Sequence, residues 1–287
     1  RLIFASRKQS EKLSAQEVGG RTVPETIILD DLFETVTEND SDPAETIESF
    51  PPPAPDDTAA IIYTSGTTGH SKGVELSHRN ITSNVESADH FAGVSPGERM
   101  LSILPLAHTY ECTLGMLIPL SRGAQVTYLD RPASPTFLLK ALKSVRPHLM
   151  LAVPLLIEKI VRSRIIPRLN AQPVTVLRRI PLVGGMIYRK ARRGLVDAFG
   201  GRLRFFGIGG APLSRDVERV LYKLRFPYAI GYGLTETAPL LAGTSPTTNH
   251  VGSTGVPTPG VEIRIQDGEI QARGPNVMKG YYRDPAR

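Results

Sequence analysis

Short apolar segments with the character of buried strands alternate with amphipathic segments over most of this chain. Five of the apolar segments are Met100–Leu104, Ala124–Leu129, Leu149–Val153, Leu203–Ile208 and Tyr228–Ile230. Helix signals separate them, such as Ser77 as the N-cap of a helix that ends at Gly93, and Ser134-Pro135 at the start of another. Strands that alternate with helices form mostly parallel sheets. The sequence therefore predicts an α/β fold of layered, mostly parallel sheets flanked by helices.

Two more helices and a hairpin complete the predicted elements. A helix-like segment that ends at Pro167 follows the third of these strands, and another helix is capped at Ser214. Near the end, Val261–Ile265 alternates apolar and polar side chains, and Asp267-Gly268 separates it from Glu269–Arg273. This pattern predicts a β-hairpin and a β-rich C-terminal segment.

One strand-like run, which begins at Ile61, continues directly into a loop rich in glycine and hydroxyl groups. The loop contains three glycines, five hydroxyl side chains and one cation: Gly66, Gly69, Gly73, Thr64, Ser65, Thr67, Thr68, Ser71 and Lys72. Glycines let backbone N–H groups approach a ligand closely. Such N–H groups, hydroxyl donors and an ammonium group together suit a polyphosphate. The glycine spacing is not that of the Walker loop, which ends in Gly-Lys-Ser or Gly-Lys-Thr.

Three further unusual loops each follow a predicted strand: Pro105–His108, Gly209–Pro212 and Gly231–Glu236. In the last loop, Tyr232 can offer a planar face to a base and Thr235 a hydroxyl group to a phosphate. Glu236 can hold Mg²⁺, a hard ion that prefers oxygen ligands and shares itself with phosphates. Because ligands of open α/β sheets bind beyond the carboxyl ends of strands, the four loops predict one shared site.

The first loop resembles the phosphate loop of the adenylate-forming, AMP-binding superfamily, which includes acyl-CoA synthetases, luciferases and the adenylation domains of peptide synthetases. The segment Tyr232–Glu236 is similar to its Tyr-Gly-x-Thr-Glu motif, and the resemblance covers the chain from residue 55 onward. It implies that Glu236 holds Mg²⁺ and that ATP is bound by Thr64, Ser65, Gly66, Thr67, Thr68, Gly69, Lys72, Tyr232, Gly233 and Thr235. The catalytic residues that it implies are Lys72, Thr235, Glu236 and His108.

Two weaker signals have an ordinary structural explanation beside the functional one. Gly209, Gly210, Ala211 and Pro212 resemble the turn that leaves room for adenine, but any tight strand-to-helix turn would need similar residues. His108 lies in a Leu-Pro-Leu-Ala-His-x-Tyr-Glu segment that resembles the lining of the acyl carboxylate site in fatty-acyl members, although a lone histidine is more often packed or solvated. The resemblance implies that His108 positions the substrate, because a fatty carboxylate with a pKa of ~4.3 is already ionised and needs no base.

The resemblance implies an acyl-CoA synthetase that acts on a medium- or long-chain fatty acid with ATP, Mg²⁺ and coenzyme A. The parent enzyme would form acyl-AMP and pyrophosphate, then transfer the acyl group to coenzyme A and release AMP. Alternatives within the family are a ligase that loads a carrier protein and a ligase that joins an aryl acid to coenzyme A. An alternative of another class is a non-catalytic nucleotide- or lipid-binding protein, which would have little need of Glu236.

By the same resemblance, three parts of the family follow the last residue of this sequence. They are the Asp that holds the ribose of ATP, the hinge with its Arg, and the C-terminal lid domain with its catalytic Lys. We assign residues 1–245 to an N-terminally incomplete α/β core and residues 246–287 to a β-rich end of the same large domain. Without the lid, we expect this chain to lack full adenylating activity.

Basic residues are concentrated in one amphipathic part of the chain. The net charge is +6, and residues 140–204 contain 15 Lys and Arg against 2 Asp and Glu. Such a segment suits the anionic headgroups of a membrane surface, although a solvated basic face is the simpler interpretation. We expect no nucleic-acid partner, because no nucleic-acid module accompanies the charge. The single cysteine, Cys112, excludes an internal disulfide and a cysteine-cluster metal site. We expect a cytoplasmic protein, with peripheral membrane association as the alternative to a solvated basic face.

Overall fold

The computed structural model describes residues 2–5, 7, 10, 25–28, 51–65, 71–129, 134–177 and 180–284. The chain forms two compact units, residues 1–53 and residues 54–287. In the first unit, strands β1 (Leu2–Ala5) and β2 (Glu25–Ile28) pair in parallel. The assignment of residues 246–287 to a β-rich end of one large domain stays a prediction.

The strands and helices named in this paragraph belong to the second unit. Its strands are β3 (Thr58–Ser65), β4 (Ser71–Ser77), β5 (Arg99–Ser102), β6 (Gln125–Tyr128), β7 (Leu149–Ala152), β8 (Phe205–Ile208), β9 (Tyr228–Gly233), β10 (Leu240–Gly243), β11 (Val256–Pro257), β12 (Glu262–Gln266), β13 (Glu269–Arg273) and β14 (Gly280–Tyr281). Its α-helices are α1 (His78–Ala92), α2 (Ile118–Ser121), α3 (Pro135–Val145), α4 (Pro154–Ile160), α5 (Ile166–Asn170), α6 (Val174–Leu177), α7 (Pro181–Ala198) and α8 (Arg215–Leu224). Two π-helical segments, Tyr110–Leu117 and Val161–Ile165, and a 3₁₀ turn, Thr235–Thr237, complete the unit.

The main sheet has seven strands in the order β11-β10-β9-β8-β7-β5-β6. The five strands from β9 to β6 run parallel, and β10 and β11 add an antiparallel edge. A separate antiparallel sheet has the order β14-β4-β3, and β12 and β13 form a hairpin. The predicted α/β fold with a mostly parallel sheet, flanking helices and a β-rich C-terminal segment is confirmed.

Local side-chain contacts explain where the helices begin and end. The Ser77 hydroxyl accepts a hydrogen bond from the Asn80 backbone N–H, and the Asn80 side chain accepts one from the Ser77 N–H, so that α1 starts with a capping box. Gly93 ends this helix with a left-handed φ of 54°. The predicted start of α8 after Ser214 is also confirmed, and the Ser214 hydroxyl donates to Glu158 Oε1 at 2.6 Å.

The predicted end of a helix at Pro167 is wrong, because Pro167 lies inside α5. The π-helical segment Val161–Ile165 changes the hydrogen-bonding pattern from i→i+4 to i→i+5 just before it. Pro167 therefore falls in the first turn of a new α-helical segment, where its missing N–H is not needed.

The main hydrophobic core fills one face of the parallel sheet, beneath α7 and α8. Phe199, Phe206 and Phe226 contact one another there, with ring centroids 5.1 to 5.9 Å apart. Neighbouring residues of a strand point to opposite faces, and Phe205 accordingly belongs to a second apolar cluster on the other face. Among the described residues, no helix combines the length and apolar character needed to cross a membrane.

Candidate active site

Three of the four predicted loops meet at the carboxyl edge of the parallel sheet. Pro105–His108 follows β5, Gly209–Pro212 follows β8, and Gly231–Glu236 includes the end of β9. The strands β9, β8, β7 and β5 are neighbours and run in the same direction, so these segments share one edge. Gly231, Tyr232 and Gly233 are strand residues rather than loop residues.

The phosphate loop has a different setting from the one predicted. It joins two antiparallel strands, β3 and β4, of the small sheet and does not extend from the parallel sheet. Lys72 is the second residue of β4 and pairs directly with Thr64 of β3. A short loop can only join antiparallel strands, since parallel pairing needs a long crossover. Residues 66–70, which include Gly66, Thr67, Thr68 and Gly69, lie outside the described residues, and of Ser65 only the backbone is described.

Tyr281 brings the two strongest sequence motifs together. The Lys72 ammonium lies 5.0 Å from the centroid of the Tyr281 ring, a favourable cation–π distance. The Tyr281 hydroxyl donates a hydrogen bond to Glu236 Oε1 at 2.9 Å. One phenol therefore contacts both the cation of the phosphate-loop motif and the carboxylate of the Thr-Glu motif. The sequence did not predict this role for Tyr281, although Tyr281 belongs to the segment Gly274–Tyr282 that resembles a structural motif of the superfamily.

The backbone around Glu236 is fixed by hydrogen bonds from two directions. Met278 N–H donates to the Glu236 carbonyl oxygen at 2.9 Å. The Asn276 side chain, which is 1% exposed, donates to the carbonyl oxygens of Thr237 (2.8 Å) and Leu240 (3.1 Å). These bonds position Glu236 without using its carboxylate.

Two buried amides of α1 secure the same region. Asn84 donates to the Leu240 carbonyl oxygen at 2.8 Å and accepts from the Leu240 N–H at 3.1 Å. Asn80 donates to the carbonyl oxygens of Pro275 (2.8 Å) and Val277 (2.7 Å). Asn80 and Asn84 are four residues apart and therefore lie on the same face of the helix.

The segment around Thr235 is tightly packed. A Cβ on Gly233 would lie 1.9 Å from the Pro239 carbonyl oxygen, so that only glycine fits there. Tyr232 pairs with Ala242 of β10 and is half-buried. Thr235 opens the 3₁₀ turn, and its side chain is half-buried as well.

The Gly209–Pro212 turn lies against Tyr110 rather than against His108. A Cβ on Gly209 would be 3.1 Å from Tyr110 Cζ, and Gly210 has a left-handed φ of 82°. Ala211 and Pro212 are exposed, as is His108. The His108 carbonyl oxygen accepts from the Cys112 N–H at 2.9 Å, at the entrance to the first π-helical segment. His108 is thus available to a ligand at the rim, while Tyr110 reaches inward.

An apolar cavity of about 50 Å³ opens next to Tyr110, between the parallel sheet, α1 and the first π-helical segment. Most of its lining is aliphatic or aromatic: Ala88, Phe91, Ala92, Val94, Met100, Tyr110, Leu114, Ile118, Pro119, Leu149, Leu151, Phe205, Gly207, Ile208, Ala229, Ile230, Gly231, Leu240, Gly243 and Thr244. A Cβ on Gly207 would come within 2.5 Å of Leu151, so a larger residue at this position would clash with the cavity lining. Sequence reasoning missed the cavity because its lining comes from segments that are far apart along the chain.

Glu111, which follows Tyr110 in the chain, is a buried carboxyl group. It is fully buried, and neither carboxylate oxygen forms a hydrogen bond of normal geometry with the described residues. Burial raises its pKa to about 7, an effect that the Ser102 hydroxyl only partly offsets. The carboxyl packs on Gly115 one π-helical turn away, where a Cβ would lie 2.5 Å from Glu111 Cδ. Cys112 beside it is partly buried, and burial raises the pKa of its thiol.

The residues around Glu236 fit a magnesium ion that is shared with phosphates. No group of three or more metal-ligating side chains occurs in the part of the chain that the structure describes. Mg²⁺ is usually held by one or two carboxylates together with waters and substrate phosphates. Glu236 is half-buried and uses one carboxylate oxygen for Tyr281. Its other carboxylate oxygen suits a magnesium ion whose remaining ligands are waters and phosphates.

Comparisons with known proteins identify the family of this chain. The family model for AMP-binding enzymes matches residues 1–282. The peroxisomal long chain acyl-CoA synthetase 6 of Arabidopsis thaliana is 32% identical over 271 residues, which cover 83% of this chain and 38% of that protein. The human long-chain-fatty-acid–CoA ligase 1 is 31% identical over 270 residues, or 82% of this chain and 38% of that protein.

Solved structures extend the comparison to the fold. The crystal structure of ATP-bound MatB from Rhodopseudomonas palustris has a TM-score of 0.74 and 25% identity, and the match covers 99% of this chain and 52% of MatB. The chain thus spans about four tenths of these curated relatives and half of the solved structure. Because the family model covers nearly the whole sequence, the chain belongs to the family of AMP-binding enzymes.

Proposed function

We propose that this chain supplies the ATP- and acyl-binding part of an enzyme that joins a medium- or long-chain fatty acid to coenzyme A. The contact of Tyr281 with both the Lys72 ammonium and the Glu236 carboxylate carries the proposal, since it supports one shared site for the two groups. In the first step, a carboxylate oxygen of the acid bonds to the α-phosphorus of ATP and pyrophosphate leaves. In the second, the thiolate of coenzyme A attacks the acyl carbonyl carbon and AMP leaves.

The first step requires charge stabilisation rather than a general base. The attacking carboxylate is ionised at neutral pH, whereas negative charge grows on the departing pyrophosphate. We assign Lys72, the loop Thr64–Gly69 and the Thr235 hydroxyl to the phosphates. A magnesium ion held by Glu236 would supply further positive charge on the same oxygens.

The base and the ribose side of ATP are assigned to the carboxyl edge of the parallel sheet. The proposed adenine pocket is formed by Gly209–Pro212 and the Tyr232 ring, with Gly233 giving close access to the backbone. Tyr110 packs directly on Gly209, where a Cβ would lie 3.1 Å from Tyr110 Cζ, and Gly210 has a left-handed φ of 82°.

The apolar cavity supports an acid with a hydrocarbon chain. An alkyl chain gains about 0.8 kcal/mol for each CH₂ group that it buries, and the lining offers few polar groups that would need partners. Tyr110 contacts both the cavity and the Gly209 turn, so a chain in the cavity would have its carboxylate near the proposed nucleotide. We assign the exposed His108 to the orientation of that carboxylate.

Calorimetric titration of this chain with non-hydrolysable acyl-adenylate analogues, from acetyl to palmitoyl, tests the proposal. We expect affinity to rise with acyl length, and Lys72→Ala to weaken binding of every analogue, with Lys140→Ala as the control for loss of an exposed lysine. Binding limited to acetyl or aryl analogues would contradict the fatty-acid assignment. Equal affinity for analogues with and without the adenylate group would instead favour a lipid-binding protein without catalytic function.

A further inference from the structure

One surface of the second unit exposes large apolar side chains beside a group of cations. Val176 is 57% exposed, Ile180 47%, Leu182 86% and Met186 68%. These residues lie on α6, on the turn after it and on the first two turns of α7. None of them lines the cavity. Isolated exposed apolar residues are ordinary, but several of them on two helices that contact each other indicate an interaction surface.

The two faces of α7 have different partners. Leu195 is 1% exposed, and Ile187, Tyr188 and Ala191 pack with it against the main core. The outer face presents Leu182, Met186, Arg189 and Arg193, which recur at helical spacing and are all exposed. The helix is therefore anchored by one face, while the other is apolar in its first half and cationic in its second.

The cations on this helix are not engaged by acids. Arg189, Lys190, Arg192 and Arg193 are exposed, and within the described part of the chain none of them forms an ion pair. Asp197 is the one acidic residue among the 18 residues of α7. Arg162 differs from them, because it forms a bidentate pair with Asp216 at 2.6 and 2.9 Å.

We propose that this surface docks the protein onto a bilayer that contains anionic phospholipid. We call it the α6–α7 surface, and it consists of Val176, Leu177, Ile180, Leu182, Met186, Arg189, Lys190, Arg192 and Arg193. A helix with an apolar stripe and cationic flanks lies in the plane of the interface, with its apolar side chains below the headgroups and its cations at their phosphates. Nucleic acid would engage the cations but would leave Leu182 and Met186 in water, so the combination favours lipid.

The docking is independent of the proposed ligase function, because the α6–α7 surface shares no residue with the candidate active site. The docking proposal and the ligase proposal can therefore be disproved separately. Loss of vesicle binding leaves the titration with acyl adenylates unchanged, and a failed titration leaves vesicle binding unchanged.

Co-sedimentation with phosphatidylcholine vesicles, with and without phosphatidylserine, tests the docking. We expect binding that requires phosphatidylserine, and a loss of roughly 10–30-fold in affinity for Arg189→Ala/Arg193→Ala. Leu182→Gln/Met186→Gln should also reduce binding at least tenfold. The matched controls are Arg264→Ala/Arg273→Ala and Ile265→Gln/Ile270→Gln on the β12–β13 hairpin, where Ile265 is 76% and Ile270 51% exposed. Thermal midpoints should match wild type, because every substituted residue is exposed.

A fluorescence measurement reports insertion directly, since the chain contains no tryptophan. The emission of Leu182→Trp should shift to the blue when phosphatidylserine vesicles are added, and brominated lipid should quench it. Ile265→Trp should show neither effect. No binding to phosphatidylserine vesicles, or wild-type binding by both surface variants, would overturn the proposal. It would also be overturned if single-stranded oligonucleotides bound with the same charge dependence while Leu182→Gln/Met186→Gln had no effect.

Discussion

At the scale of single residues, Glu111 has the most unusual environment in the described structure. Its carboxyl is fully buried on the π-helical segment and packs on Gly115 without a hydrogen bond of normal geometry. Removal from water disfavours the charged form, and this raises the pKa to about 7. A carboxyl of this kind is neutral below neutral pH and becomes a buried charge above it.

The raised pKa of Glu111 predicts that stability falls as pH rises. Between the unfolded value of 4.5 and the folded value of about 7, the native state holds a proton that the unfolded state has lost. The free energy of unfolding should therefore decrease over this window, by at most roughly 3 kcal/mol. Glu111→Gln removes the titration, so it should stabilise the protein more at pH 8 than at pH 5.

Urea unfolding at the two pH values checks this prediction. Glu269→Gln, on an exposed strand residue, is the control for a lost carboxylate at the surface. If the difference between Glu111→Gln and wild type were the same at both pH values, the carboxyl would not have a raised pKa in the folded protein.

At the scale of elements, the strands of the parallel sheet and the capped helices followed from periodicity and from capping residues. The β3–β4 hairpin did not follow from these signals, because a glycine-rich loop after an apolar run is equally typical of a strand in a parallel sheet. The sequence did not predict the π-helical segments either. An apolar helix face has a similar residue spacing with α-helical and with π-helical hydrogen bonds. Contacts made by Asn84 and Asn276 depend on which elements become neighbours, which one-dimensional patterns do not contain.

The link between α1 and β10 through Asn84 can be tested by removing its amide. Asn84→Leu leaves the Leu240 N–H buried without its partner, while the Leu240 carbonyl oxygen keeps the hydrogen bond from Asn276. We expect a loss of roughly 1–3 kcal/mol in the free energy of unfolding, from the one unpaired N–H group. Chemical denaturation measures it, and Thr82→Ala on the exposed side of the same helix should cost less than about 1 kcal/mol. An equal cost for both substitutions would show that the bonds to Leu240 contribute little.

At the scale of the whole molecule, the candidate site combines the parallel sheet with the small antiparallel sheet. The motifs could be found in the sequence because those signals are local. The sequence did not predict the cavity, which requires knowledge of how α1 and the first π-helical segment cover the parallel sheet. It also missed Tyr281 as the side chain between Lys72 and Glu236.

The cavity predicts how acyl-chain preference should change. Gly231 lines it, and a Cβ there would meet Leu240 Cδ1 at 2.9 Å, the end of a flexible side chain that can move aside. Gly231→Ala should therefore preserve folding but reduce the space for the chain. We expect palmitoyl-adenylate analogues to lose about tenfold in affinity while acetyl analogues keep theirs, as measured by calorimetry. Gly185→Ala, with nothing within 4 Å of the new methyl group, is the control. A uniform loss for all acyl lengths would argue against the cavity as the acyl site.

The most direct test of the site as a whole is the binding of ATP to this chain at several Mg²⁺ concentrations. Wild-type affinity should increase with Mg²⁺, Lys72→Ala should weaken binding by roughly 1.5–3 kcal/mol, and Glu236→Gln should lose most of the Mg²⁺ dependence. Lys140→Ala and Glu269→Gln should behave as wild type. Unchanged affinity in Lys72→Ala together with full Mg²⁺ dependence in Glu236→Gln would contradict a single Mg-ATP site around Tyr281.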